Sequence, residues 1–176
     1  MLNTKLISKI FGSLLLIEAL LMSCSLGVAL YYGGSDVMPF TWSVVVLIAA
    51  GVAFRLLGLK ASNALSRRDA YFVVTTVWVL FTIFGMMPFL IGGYLHSVTD
   101  AFFETISGFT TTGATIIDYP ERLPRGLLFW RSITQWIGGL GIVFFKIEIL
   151  RSFVGGSKPV FAAEATGPIV TKLHPK

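Results

Sequence analysis

Cysteine occurs once in this sequence, at Cys24. A disulfide within the chain is thereby excluded, as is a cysteine-built metal cluster or a stapled secreted scaffold. Charge is scarce as well. Asp, Glu, Lys and Arg make up 13% of 176 residues, against 55% hydrophobic, too little polar surface for a soluble domain of this size. Histidine appears twice, as His96 and His174, far apart and with no acidic or nucleophilic partner at catalytic spacing. No His-Glu-x-x-His, Gly-x-Ser-x-Gly, phosphate-loop or dinucleotide-binding pattern is present. The chain offers no constellation for an enzyme and no cofactor site.

What the sequence does have is long apolar blocks, the pattern of a chain whose solvent is lipid. Four blocks are long enough to span a bilayer, at about 20 residues each: residues 6–32, 39–59, 70–94 and 126–145. The apolar stretch 10–32 is too long for the core of a signal peptide, so a retained helix is expected. The net charge of +5 reports orientation here rather than nucleic-acid binding. Lys5 and Lys9, then Arg55, Lys60, Arg67 and Arg68, then Arg151, Lys158, Lys172 and Lys176 fall on one side if all four blocks cross. Asp36, Asp100, Asp118 and Glu121, with Arg122 and Arg125, fall on the other. Both termini are therefore expected in the cytoplasm.

The connection 94–125 is the informative one. Ser97-Val-Thr-Asp100 reads as a helix start. The apolar run from residue 101 to 109 is too short to cross, a length typical of re-entrant segments. Then comes Thr110-Thr-Thr-Gly-Ala-Thr115, with no apolar side chain larger than alanine. Irregular backbone at membrane depth must line a watery path or be buried in protein. A short helix would point its negative C-terminal end at a cation. Extended carbonyls would then replace the hydration shell of the ion, and a glycine would supply the unusual dihedrals. By composition alone a threonine-rich surface loop reads the same way. The position between two spans, just after a half-length helix, favours a filter.

These residues resemble the Trk/Ktr/HKT superfamily of potassium transporters, most closely its TrkH-type subunits. The resemblance lies in Val98-Thr-Asp-Ala-Phe-Phe-Glu104, in Thr110-Thr-Thr-Gly-Ala-Thr115 and in Phe129-Trp-Arg-Ser-Ile-Thr-Gln-Trp-Ile-Gly-Gly-Leu-Gly-Ile142. Arg67-Arg68-Asp69 and Ala163-Glu-Ala-Thr-Gly-Pro168 fit as well. The resemblance implies an all-α integral membrane protein with four transmembrane helices. A re-entrant pore helix and filter loop would lie between the third and fourth. It also implies three parts: two leading helices in 1–66, a first membrane–pore–membrane repeat in 67–154, and a tail or linker in 155–176.

By the same resemblance, the backbone carbonyls of Thr111 and Thr112 bind potassium, Gly113 is the filter glycine, and Ala114 extends the filter. The implied function is potassium uptake by channel-like permeation across a bacterial inner membrane. Implied partners are lipid, the potassium ion, a second copy of the full-length subunit, and a cytoplasmic nucleotide-binding regulatory subunit. Family pores contain four repeats, whereas one is present here, so a fragment or one part of a larger pore is expected. A single-repeat oligomeric channel is an alternative, although its usual two-glycine filter is missing. A non-transporting membrane remnant of a transporter is the other, favoured by the missing repeats and opposed by the intact filter segment.

Other residues carry their own expectations. Gly138-Gly139-Leu-Gly141 lets helix backbones approach closely, so packing is preferred to a gating hinge. Trp130, near the outer end of the fourth block, reads as an interfacial anchor. Arg131 is placed to bind a carboxylate such as Glu104 or Asp118 and brace the pore helix. Glu18 lies inside the first block, where a carboxylate is functional by default or paired with a neighbouring helix. Lys146 reads as snorkelling to the cytoplasmic surface, and Glu148 and Arg151, three apart, as a pair.

Overall fold

The computed structural model describes residues 3–59 and 66–154, and the side chains of residue 67 and residues 142–154 lie outside that description. The described residues are helical, with no strand. In chain order the α-helices are α1 (Thr4–Tyr32), α2 (Val37–Leu57), α3 (Arg67–Gly85), α4 (Met87–Ile91), α5 (Val98–Phe109) and α6 (Arg125–Val154). A single 3-10 turn, Pro120–Arg122, precedes α6. By length and composition three segments suit a membrane crossing: α1, α2, and α3 with α4 taken together as Arg68–Ile91.

The chain forms one compact unit up to Gly139 and a second from Leu140 onward. In the second, residues 140–154 are helical. The tail 155–176, with His174, lies outside the described residues, and so do the side chains of Lys146, Glu148 and Arg151.

α1 runs for 29 residues, about 43 Å at 1.5 Å per residue. The Asn3 side chain accepts from the Leu6 N–H at 3.2 Å and caps its start. Gly33, left-handed at φ 61°, ends it, and the Gly34 N–H reaches back to the Ala29 carbonyl at 3.1 Å. This is the glycine stop that relieves the last carbonyls. The turn lets α2 return against α1. Their backbones meet closely at Gly12 and Gly51, where an added Cβ would run into the Arg55 backbone and Leu16. The Ser8 hydroxyl donates to the Phe54 carbonyl across the pair at 2.7 Å.

α3 begins with a full capping box, Ser66 and Asp69 bonding each other's backbone N–H. The third apolar block is not one uninterrupted helix, because α3 and α4 are separated at Met86. Pro88 sits at the start of α4, where its missing N–H would have no partner within that helix and so does least harm. The break turns the Gly85 carbonyl aside, and the Trp130 indole N–H donates to it at 2.9 Å.

That bond corrects the expectation for Trp130. It is fully buried and stacks edge-on against Phe109 with centroids 6.4 Å apart, so it is no interfacial anchor. An outer-end position favours an anchor only when the side chain faces lipid, and this face of α6 is turned inward. Around it lies one apolar core: Leu15 and Met22 of α1, Phe40 and Leu47 of α2, Phe81 of α3, Phe89 of α4 and Phe109 of α5. Outward faces are apolar too, with Leu20 67% and Leu57 71% exposed, as expected where lipid or another protein wall is the solvent.

Candidate functional site

α5 is the half-length helix expected between the third and fourth blocks. Its 12 residues span about 18 Å. Ser97 is its N-cap in extended backbone, but no side-chain capping bond forms. Asp100 in the first turn complements the positive end of the dipole. The inward face carries Ala101, Glu104, Thr105, Ser107, Gly108 and Phe109.

The helix stops where Thr110 ties itself back. Its N–H and hydroxyl both donate to the Ile106 carbonyl, at 2.8 and 2.7 Å. Thr111 then takes a left-handed φ of 56°, and Gly113 takes 73°. For a β-branched residue such a backbone costs about 1 kcal/mol or more, and outliers of this kind gather at functional sites. Thr112, between them, is not left-handed.

Alternation of this kind sorts the backbone groups by direction. The Thr111 N–H bonds the Gly108 carbonyl at 2.9 Å, and the Thr112 and Gly113 N–H groups bond the Ser107 carbonyl at 3.0 and 3.5 Å. The donors therefore face the C-terminal end of α5. Among the described residues no hydrogen bond ends on the carbonyls of Thr111, Thr112 or Gly113. The Ala114 carbonyl differs, because it accepts from the Ser107 hydroxyl at 2.6 Å. Residues 110–116 are exposed within this chain, so the loop has one face packed and one face open.

Sequence reasoning missed Ser107, which is buried and holds residues 112–114 of the loop through its carbonyl and its hydroxyl. The signal was faint: a small polar residue on the inner face of a half-length helix. The expected Arg131–Glu104 contact is present. An Arg131 Nη2 lies 2.6 Å from Glu104 Oε1 and 3.3 Å from the Thr115 hydroxyl. Glu104 Oε2 also accepts from the Thr115 hydroxyl at 2.9 Å and the Ile116 N–H at 3.0 Å. A buried carboxylate is thus fully engaged, and the outer end of the loop is pinned to both α5 and α6.

α6 passes behind the loop. Gly138 lies against the Phe109 backbone, where any Cβ would collide with its carbonyl. Gly108 of α5 likewise faces Thr134. The packing role expected for the glycine run fits Gly138, while a Cβ at Gly139 would stand 3.9 Å from the Thr111 methyl.

Glu18 is fully buried, and neither carboxylate oxygen bonds any described residue. Gly85 separates it from Thr105, whose hydroxyl is also unbonded: a Cβ there would lie 3.2 Å from Glu18 Oε1 and 3.1 Å from Thr105 Cγ2. The packing of α3 against side chains of both α1 and α5 thus depends on a residue without a side chain.

No three His, Cys, Asp or Glu side chains gather among the described residues. The ligands on offer at the loop are carbonyl and hydroxyl oxygens. Such neutral oxygens suit a hard cation that sheds its water into a ring of dipoles.

The chain matches the TrkH family model, described as a cation transport protein, over residues 37–173. It is 36% identical over 172 residues to the Trk system potassium uptake protein TrkH of Vibrio parahaemolyticus, covering 97% of this chain and 36% of the relative. It is 32% identical over 177 residues to the Trk system potassium uptake protein TrkG of Escherichia coli, covering 99% of this chain and 36% of the relative. The crystal structure of the potassium transporter TrkH from Vibrio parahaemolyticus superposes with a TM-score of 0.79 at 36% identity, covering 90% of this chain and 34% of that one. The chain therefore spans about a third of the length of the relatives it matches.

Proposed function

Because the chain belongs to the TrkH family of cation transport proteins, we propose that it supplies one wall of a potassium pathway. In this reading α6 is the fourth membrane crossing and α5 is the re-entrant pore helix. Residues 110–114 are one strand of the filter, with the carbonyls of Thr111, Thr112 and Gly113 as ligands and Ala114 at the outer end. The observation that carries the reading is the alternating backbone of residues 111–113, with its donors tied to the carbonyls of Ser107 and Gly108 and its own carbonyls unbonded among the described residues. Permeation is channel-like: the carbonyls replace water around the ion, and the negative end of α5 favours a cation. The remaining walls come from further repeats or further subunits. A second full-length subunit and a cytoplasmic nucleotide-binding subunit follow from the family resemblance, a stoichiometry that the mass of the solubilised assembly reads out.

Selectivity tests the reading. In an assembly with all walls present, Gly113→Ser should relax the preference for rubidium over sodium, because a Cβ at φ 73° strains the backbone that aims the carbonyls. Thr111→Ala should cost less, since the Thr111 carbonyl remains. Equal effects of the two substitutions would remove the special place given to Gly113.

The proposed orientation puts both termini in the cytoplasm of a bacterial inner membrane and the turn 33–36 outside. Cysteine scanning in a Cys24→Ala background checks it in intact cells. Ser35→Cys, in the exposed turn, should react with an impermeant maleimide, and Asn63→Cys should not. The reverse pattern would overturn the topology.

A further inference from the structure

Asp36 lies in the turn between α1 and α2, outside the pore repeat, yet it is completely buried. Its Oδ2 accepts the Leu127 N–H at 3.1 Å, across 91 residues of sequence. Leu127 is in the first turn of α6, where backbone N–H groups have no partner within the helix. A carboxylate there satisfies one of them and meets the positive end of the helix dipole. Two glycines make room for the carboxylate there: a Cβ on Gly34 would strike Oδ1, and a Cβ on Gly126 would strike Oδ2.

One helical turn after Leu127 stands Arg131. Its guanidinium pairs with Glu104 at 2.6 Å, and Glu104 holds the Thr115 hydroxyl and the Ile116 N–H. The height of α6 fixed at Leu127 is thus passed, over about 6 Å of rigid helix, to the group that pins the outer end of the loop. Every link is a buried or half-buried polar contact.

We infer that Asp36 is a positioning residue for ion selection: it ties the turn of the leading helix pair to the start of α6, and through Arg131 and Glu104 it sets the geometry of residues 110–115. The leading pair then acts on the pathway although it contributes no group to it. This rests on the reading of residues 110–115 as the filter.

A cap and a tether both lose a hydrogen bond when Asp36 is changed, so the test must separate them. A Cβ on Gly34 would lie 3.7 Å from Cβ of Pro124, within the range a disulfide needs. In an Asp36→Ala background the Gly34 position is also freed of its clash with the carboxylate. Asp36→Ala/Gly34→Cys/Pro124→Cys, with Cys24→Ala, therefore rebuilds the tether covalently without restoring the cap.

The measurement is rubidium uptake under sodium competition in the full assembly, normalised to protein in the membrane. Asp36→Ala should lower rubidium-over-sodium discrimination about tenfold, the size of an ordinary coupling between sites. Asp36→Asn, which keeps an accepting oxygen, should lose less. The oxidised cross-link, verified by loss of free thiol, should restore discrimination, and dithiothreitol should remove it again. Unchanged discrimination in Asp36→Ala overturns the inference. So does a loss that the oxidised cross-link fails to restore, which would make Asp36 a cap alone. Gly113→Asp in the same assay separates the two readings: normal discrimination there sinks the filter, whereas normal discrimination in Asp36→Ala alone sinks only the tether.

Discussion

Gly113→Asp is expected to abolish potassium uptake, or to erase discrimination between rubidium and sodium, while the protein still reaches the membrane. Nothing lies within 4 Å of the position a Cβ would take at Gly113, and φ is +73°. The substitution therefore clashes with nothing in its own chain. Its effect must come from the backbone and from whatever shares the open side. Aspartate is among the few side chains that visit left-handed backbone routinely, so folding should be largely spared. The new carboxylate, however, stands beside the carbonyls that would receive the ion.

At 4 Å and an effective dielectric of 20 the attraction is about 4 kcal/mol, enough to slow release of a bound cation roughly a thousandfold. Conduction needs sites that bind and let go. Rubidium-86 uptake in cells lacking other potassium uptake systems reads the result, with immunoblotting for protein in the membrane. The assay must contain every wall of the pore, because the loop of this chain is open on one face. Uptake and selectivity unchanged by Gly113→Asp would mean that ions travel elsewhere.

Arg131→Gln should be the most destabilising single change at the brace. Glu104 is 5% exposed, and Arg131 is its ion-pair partner. Removing Arg131, whose side chain is 22% exposed, leaves the charge of buried Glu104 uncompensated, at a cost of about 3 kcal/mol. That corresponds to a fall of roughly 6–12 °C in the unfolding midpoint of a domain this size. The double change Arg131→Gln with Glu104→Gln removes the stranded charge and keeps an oxygen for Thr115. It should therefore be milder than Arg131→Gln alone. Thermal unfolding of the purified protein in detergent measures both. A double variant no more stable than the single one would show that the charge pair is not what holds the loop.

The elements follow the hydropathy closely. α1 and α2 lie within a few residues of the blocks 6–32 and 39–59, because backbone in lipid has to bond within its own helix. The half-length of α5 was legible for the same reason, as was its end, where apolar side chains give way to threonines. The Arg131–Glu104 pair was legible because Arg131 stands near the outer end of the fourth block, within reach of the carboxylates Glu104 and Asp118; that Glu104 is the partner was decided by the fold.

Facing and distant contact were not legible. Trp130 was misassigned, since its depth along α6 is a property of the sequence but the direction it faces is set by α3 and α5. Ser97 reads as a helix start and is the N-cap of α5, yet it forms no side-chain capping bond; the full capping box is made instead by Ser66 and Asp69. The break at Met86 had a visible cause in Pro88, but the bond that makes it tolerable comes from an indole 45 residues away.

The sequence by itself determined which segments enter the membrane, where a half-length helix stops, and that small polar residues follow it. Each of these depends on the transfer of a residue and its near neighbours from water to lipid, a local quantity. Only the tertiary structure decided that Asp36 seats α6, that Ser107 holds residues 112–114 through its carbonyl and hydroxyl, that Gly85 makes room for the side chains of Glu18, Thr105 and Phe109, and that Gly138 lies against the Phe109 backbone. Those roles depend on which helix faces meet, and helix faces meet through the shapes of side chains far apart in the chain, a relation that hydropathy does not encode.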